Sequence, residues 1–327
     1  MSKRCLLIGD IGGTNARFAI ARRDRPGFHS ELTLRCSDFE SADLAIRQYL
    51  ERVDAPAPAV ICLAVAGPIV DRRVRFTNNN WSIGVEELQK EFAAPVVSLR
   101  NDFEAIAYSI PFLAAADCLP IGLPETGPLP DADYTVGIVG AGTGLGVAGL
   151  CRRAGNIFPI VGEAGHVGFA PETGVQIDVF SVLRERFDRV SDERLVSGPG
   201  IENIYWALSR IHGDKGATLS AAEICRDAAA NSSGRAGEAL QLFFEILGQV
   251  AGNLALSIGA TAGVYIAGGI ARCYPDFLVA SRFRSGFEAK GRHRSLMERI
   301  PTRLVMYAEP GLLGASYCAI RLAKKRK

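Results

Sequence analysis

Two stretches of this chain share one hydrophobic signature: a short apolar run, a glycine-rich turn, and a second apolar run. In the first, Cys5 to Ile8 precedes Asp10-Ile11-Gly12-Gly13-Thr14-Asn15, and Ala16 to Ala21 follows. In the second, Thr135 to Val139 precedes Gly140-Ala141-Gly142-Thr143-Gly144-Leu145-Gly146, and Val147 to Leu150 follows. Apolar runs of this length bounded by turn residues predict strands, and strands joined this closely predict hairpins. One device used twice predicts two related lobes, each lending a hairpin to a shared ligand.

The intervening pattern fills in the lobes. Ile46, Tyr49, Leu50 and Val53 fall on one helical face. Ala59 to Ala66, ending at Gly67-Pro68, and Pro95 to Leu99 read as buried central strands. Helix, strand and turn alternate, which predicts an α/β first lobe. Leu119 to Asp133 holds four prolines and three acidic residues and predicts a surface loop. Beyond Asp178 the pattern is mostly helical, and a helix over Ala239 to Ser257 feeds a strand, Val264 to Ala267, that ends at Gly268-Gly269. Pro310-Gly311-Leu312-Leu313-Gly314 opens a last helix whose Leu313, Tyr317, Ala319 and Ile320 are placed to pack back on the first lobe. The expected division is a small α/β domain over 1–112 with the helix 310–327, and a large α/β domain over 113–309.

Composition narrows the classes. A chain of 327 residues exceeds what one core usually holds, so two lobes are the default. With 48% apolar and 22% charged residues it is an ordinary globular sequence. A net charge of +2 leaves no electrostatic footprint for nucleic acid or an anionic membrane, and the basic tail Lys324 to Lys327 reads as a solvated helix end. The eight cysteines, at 5, 36, 62, 118, 151, 225, 273 and 318, include no C-x-x-C pair, which predicts buried free thiols in a reducing cytoplasm. The apolar run at Cys5 to Ile8 is cut short by Asp10, too early for a signal peptide, so a cytoplasmic location is expected. Ile246 to Ala271 carries no charge and is long enough to span a bilayer. Gln249, Asn253, Ser257 and six glycines interrupt it, however, and Leu240, Phe243, Phe244, Leu247, Val250, Ala251, Leu254 and Ile258 keep one-face spacing, so a buried helix running into a core strand is expected.

A glycine turn between strands can aim several backbone N–H groups at one anion with no Cβ in the way. Neither turn is a Walker A loop, since no G-x-x-x-x-G-K-[ST] occurs, and neither is a dinucleotide fingerprint, since a strand rather than a helix follows. A single such turn would pass for a tight hairpin. Two, with Thr14 and Asn15 at one tip and Thr143 at the other, fit phosphate cradles. Asp10 would repel a polyphosphate unless a cation lay between them, which points to Mg²⁺; alternatively it caps its own turn. Arg100-Asn101-Asp102-Phe103 closes a strand at the end where α/β proteins face their ligands, although Asn101-Asp102 also suits a helix cap. Phosphoryl transfer to an alcohol needs positioning, charge neutralisation and one carboxylate for the hydroxyl proton, and Asp102 can supply that carboxylate.

The runs Leu7 to Arg17, Asn101-Asp102-Phe103, Gly140 to Gly146 and Gly162-Glu163-Ala164-Gly165-His166 occur in order, with Pro310 to Gly314 near the end. In this the chain resembles the bacterial glucokinases of the hexokinase, actin and heat-shock-chaperone ATPase superfamily. The resemblance implies a two-lobed hexokinase/actin-like (ribonuclease H-like) fold with a ligand cleft between lobes. It implies transfer of the γ-phosphate of ATP to the 6-hydroxyl of glucose, the first step of glycolysis, with Mg²⁺ and a homodimer. It places ATP on Gly9, Asp10, Ile11, Gly12, Gly13, Thr14, Asn15, Gly142, Thr143, Gly268 and Gly269, with the metal on Asp10. It places the sugar on Asn101, Asp102, Glu163, His166 and Glu193, with Asp102 as catalytic base. Carboxylates, an amide and an imidazole are the donor and acceptor mixture a polyhydroxylated ring requires.

Glu163 and His166 at spacing three also suit a metal, but the related repressor and kinase family follows its histidine with a zinc-binding cysteine cluster. Val167 to Val175 contains no cysteine, so the zinc-free branch is implied. Ala164 stands where that pattern often has glycine. Gly268-Gly269 could equally serve close packing, and Thr77-Asn78-Asn79-Asn80-Trp81 either borders the sugar or is a turn anchored by its tryptophan. Rivals are a kinase of another hexose or an N-acetylhexosamine, a nucleotide-driven chaperone or filament protein, and a non-enzymatic sugar-responsive regulator. The last would carry a DNA-binding segment, and only nine residues precede Asp10.

Overall fold

The computed structural model describes residues 4–76, 80–123, 127, 129–214 and 218–325. The chain divides into two units, Met1–Ala114 with Tyr307–Lys327, and Ala115–Met306.

In the first unit the apolar runs become β1 (Cys5–Ile11), β2 (Asn15–Ala21), β3 (Phe28–Arg35) and β4 (Pro58–Val65). A small antiparallel sheet of β5 (Ile69–Val70), β6 (Arg73–Arg75) and β7 (Ser82–Gly84) follows, and β8 (Val96–Asn101) returns to the main sheet, ordered β3-β2-β1-β4-β8. β1 runs antiparallel to β2 but parallel to β4, and β4 runs parallel to β8. The carboxyl ends of β1, β4 and β8 therefore share one edge. Register aligns Asp10 with Ala64 and Ala64 with Arg100, so Asp10 and the Asn101-Asp102 pair emerge side by side.

Helix α1 (Ala42–Arg52) buries Ala45, Ile46 and Tyr49 against this sheet, and the Tyr49 hydroxyl donates to Ser30 O at 2.8 Å. Helices α2 (Val85–Glu91) and α3 (Asp102–Ser109) follow. Trp81 is buried and donates from Nε1 to Phe39 O at 3.1 Å, an anchored tryptophan; Thr77, Asn78 and Asn79 lie outside the described residues. The C-terminal helix, Pro310–Lys324, packs on α3, β1 and β4, burying Leu313, Ala319 and Ile320 and setting Tyr317 against Tyr108 and Phe112. Gly314 makes this possible, because a Cβ there would overlap the carbonyl oxygen of Ala105 on α3. Gly314→Ala is expected to destabilise the protein by about 3 kcal/mol, the upper end of overpacking, because backbone rather than a flexible side chain must yield; the melting temperature reads it.

The second unit repeats the device. Its strands are β9 (Cys118–Pro120), β10 (Tyr134–Ala141), β11 (Leu145–Arg153), β12 (Asn156–Val161), β13 (Val264–Ala267) and β14 (Thr302–Val305), ordered β12-β11-β10-β13-β14-β9. β10 and β11 form the hairpin, and β13 runs parallel to β10 as β4 does to β1. Helices α4 (Gly174–Arg186), α5 (Gly198–Ile211), α6 (Ala221–Ala230) and α7 (Arg235–Ile258) build its core. Among the described residues, α7 is the one helix that length and composition alone would allow to cross a membrane, yet 78% of its most apolar window is buried inside the protein. It ends at Gly259 in the left-handed conformation (φ 66°) and leads into β13.

Three expectations need correction. Both glycine turns are tighter than their composition suggests: only residues 12–14 and 142–144 leave the ladder, because Ile11 still pairs with Ala16, and Ala141 with Leu145. Leu119 and Pro120 are strand rather than loop, on the sheet edge where a proline costs no ladder bond, and Ile121 is buried. All eight cysteines are free, but Cys273 is exposed and Cys118 and Cys151 are partly so. Burial pushes the thiols of Cys5, Cys118 and Cys225 up to about 11, which keeps them protonated and unreactive.

Candidate active site

At the shared edge of the first unit, Asp10 is the last residue but one of β1, opposite Arg17 of β2. Burial pushes its carboxyl up to about 6, the negative charge of Asp102 pushes further, and Arg17 pulls back. A carboxylate raised by burial and by the charge of a second one beside it suits a divalent cation, and the group's own chemistry thus fits Mg²⁺. Among the described residues no three His, Cys, Asp or Glu side chains converge as a metal cage. An ion here would complete its shell with water and phosphate oxygens.

Asn101 is the N-cap of α3: its Oδ1 accepts from Phe103 N at 2.9 Å and from Glu104 N at 3.1 Å. The capping alternative is thus realised, and only the Nδ2 amide remains for a ligand. Asp102, the first residue of α3, accepts from Phe103 N through Oδ1 at 2.9 Å, and the positive end of the helix favours its negative charge. In the turn beside them, Gly12 N donates to Asn15 O at 2.9 Å. Thr14 N, at the exposed tip, makes no hydrogen bond among the described residues. Gly9 and Ile11 owe their identities to packing. Gly9 sits against Leu63 and Phe18 with no room for a Cβ, and the Ile11 side chain is core, so neither side chain position can touch a ligand.

In the second unit Glu193 belongs to a single turn, Asp192–Arg194, and its Oε2 accepts from Leu145 N at 2.9 Å. It thereby stands beside the second glycine turn, where Gly144 leaves the space: a Cβ at that position would lie 2.6 Å from Glu193 Oε2. His166 Nδ1 is 3.9 Å from Glu193 Oε1, so these two are neighbours. Glu163 caps the turn Ala164–His166 and is exposed, with no side-chain partner among the described residues.

Three backbone segments meet at Gly142. Gly198 N, opening α5, donates to Gly142 O at 2.8 Å; Gly142 N closes its own turn on Gly144 O at 2.8 Å; and Gly268 (φ 93°) abuts Ala141 with no room for a Cβ. Gly268 thus has the close-packing role, while Gly269 is open to solvent. A helix N-terminus next to a glycine turn is a favourable anion seat. Ser197 fixes it, with Oγ accepting from Gly200 N at 3.0 Å and donating to Glu193 O at 2.7 Å, so the same residue ties this seat to Glu193.

A model of the Glucokinase family matches residues 7–322. The chain belongs to the glucokinase family. It is 42% identical over 311 residues to the glucokinase of Marinobacter nauticus, covering 95% of each chain. It is likewise 42% identical over 310 residues to that of Nitrobacter hamburgensis, covering 94% of this chain and 95% of the relative. The solved structure of a glucokinase from an Antarctic psychrotroph is similar with a TM-score of 0.86 and 34% identity, covering 96% of this chain and 98% of that one. The protein is therefore a hexose kinase of the glucokinase type, with the α/β fold of the hexokinase/actin-like class.

Sequence reasoning assigned no role to two glucokinase-site neighbours. Arg17 faces Asp10 across the hairpin and pairs with Glu309 at 3.2 Å, and Gly311 leaves room for Asp10 Oδ2, 2.6 Å from where its Cβ would stand. Only the hairpin register, with turn residues 12–14, could have pointed to Arg17; nothing local points to Gly311.

Proposed function

We propose that the enzyme transfers the γ-phosphate of ATP to the 6-hydroxyl of glucose, with Asp102 accepting the hydroxyl proton. The observation that carries this reading is the pair of carboxylates at one sheet edge. The Asp10 carboxyl is displaced upward by burial and then by the charge of Asp102, and Asp102 sits on a helix N-terminus beside a glycine turn. A base and a cation-binding carboxylate placed together are what phosphoryl transfer to an alcohol asks of a protein.

Mg²⁺ held by Asp10 would neutralise charge on the phosphates. The phosphate oxygens are received by the N–H groups of Thr14 and Thr143 and by the N-terminus of α5; the adenosine lies along Gly269. Asn101 Nδ2, Asp102, Glu163, His166 and Glu193 bond the sugar hydroxyls. A site with a partner for each hydroxyl rejects a sugar that lacks one, since a buried group is then left unpaired at about 1–3 kcal/mol.

Gly144→Ala tests the sugar assignment apart from the chemistry. The new Cβ displaces the Glu193 carboxylate from Leu145 N, and losing a charged hydrogen bond of about 1.5 kcal/mol predicts a roughly tenfold higher KM for glucose with a smaller change in kcat. The reading as a whole is tested by ADP release with ATP and a panel of sugars. Glucose-dependent release, slower with other hexoses and N-acetylhexosamines, is expected. ADP released equally without sugar would instead indicate a chaperone-type ATPase, and none under any condition a regulator.

A further inference from the structure

A cavity of about 390 Å³ lies wholly within the second unit. Part of its wall is Gly162, Ala164, Val167 and Gly168, which flank Glu163 and His166. Another part is α7, through Gln249, Leu254 and Ser257, and the third is Asp192, immediately before Glu193. Its volume is that of a small-molecule site.

Most of the lining is apolar, including Val147, Ile160, Phe169 and Ile258. Four oxygen-bearing side chains interrupt it, of which Asn253 and Ser257 are exposed and Asp192 and Gln249 are buried. Asp192 is 8% exposed and makes no side-chain hydrogen bond among the described residues. Burial pushes its carboxyl up to about 7, although Arg189 and Lys290 pull it back. Gln249 is 3% exposed; its Nε2 donates to Gln176 Oε1 at 3.2 Å, but its Oε1 has no donor. A buried acceptor without a donor, as Gln249 Oε1 is, is uncommon in native proteins and marks a place where a partner is missing. What such a wall lacks is an apolar body with a donating head.

The cavity wall is also the scaffold of the sugar-side residues. Asp192 N donates to Val167 O at 3.0 Å, Gly168 pairs with Ser191 as an isolated bridge, and Arg189 Nη1 donates to His166 O at 2.6 Å. These bonds hold the His166 and Glu193 segments together, so a body wedged between Val167 and Asp192 must move both or fix both.

We propose that this cavity binds a small organic ammonium ion, its NH₃⁺ donating to Asp192 and Gln249, and that occupancy changes the affinity of the enzyme for its sugar. The second half rests on the assignment of His166 and Glu193 to glucose; the first does not.

The probe is benzylammonium, with benzyl alcohol as its uncharged counterpart, titrated into the full chain by calorimetry. Saturable benzylammonium binding is expected, weakened about tenfold by Asp192→Asn while benzyl alcohol is little affected, as befits loss of a charge-assisted hydrogen bond. Ser257→Trp, at an exposed rim position on α7, fills the mouth and abolishes binding of both without changing basal kinetics. In the kinase assay, saturating probe shifts the KM for glucose by about fivefold in wild type and not in Ser257→Trp, a coupling at the low end of allosteric effects. No saturable heat at about 10 mM probe, or equal binding by Ser257→Trp, overturns the site. Binding with an unchanged KM overturns the coupling. A chain inactive toward glucose but binding the probe as described refutes the sugar reading and leaves the cavity standing.

Discussion

Asp102→Asn is expected to lower kcat by about 10²–10⁴, the contribution of a positioned general base, while glucose binding changes little. The substitution is nearly isosteric. The carbonyl oxygen of the new amide can still accept from Phe103 N, as Asp102 Oδ1 does at 2.9 Å, so α3 keeps its start and Asn101 keeps its cap. What is lost is the capacity to take a proton and one negative charge beside Asp10. Both changes fall on the chemical step, so a turnover assay and glucose calorimetry on the same preparation should separate strongly. A variant with wild-type kcat would remove Asp102 from the mechanism; one whose glucose affinity falls as much as its kcat would make it a binding residue instead.

The sequence revealed this site unevenly, and the reasons are physical. The hairpins were legible because apolar runs and glycine clusters are local signals. Their true turns, 12–14 and 142–144, were not, since glycine permits a turn without dictating where the antiparallel ladder stops. Asn101 could be read as cap or ligand because one side chain can do both: Oδ1 is spent on the helix and Nδ2 is not. Leu119-Pro120 looked like loop because proline forbids a central strand, and only the sheet order reveals that this strand is an edge. The reasons for Gly144 and Gly311 lie in Glu193 and Asp10, 49 and 301 positions away, and no periodicity encodes such contacts. The last helix was legible from its turn and its apolar face, yet its fit on α3 depends on Gly314 meeting Ala105.

The ligand-free, metal-free protein should become more stable at pH 8 when Asp10 is replaced by Asn. Burial and the charge of Asp102 raise the Asp10 carboxyl from 3.8 to about 6, so the folded state binds its proton more tightly than the unfolded chain does. Between about pH 4 and pH 6 the folded state therefore holds more protons. On that account stability falls as pH rises through this window, and the contribution present below pH 4 is gone above about pH 6. A displacement of about two units corresponds to about 3 kcal/mol at most. Asn carries no charge to desolvate, so Asp10→Asn should match wild type near pH 4 and exceed it at pH 8. Comparing the two proteins at each pH cancels every titrating group that does not interact with Asp10. The same variant should need more MgATP to gain a given thermal shift, because a ligand stabilises only in proportion to its affinity for the folded state. A half-buried like-charge pair that weakens the empty protein and is relieved by a cation is a stability cost kept for function. Equal differences in melting temperature between wild type and Asp10→Asn at pH 4 and pH 8 would show that Asp10 carries no such cost.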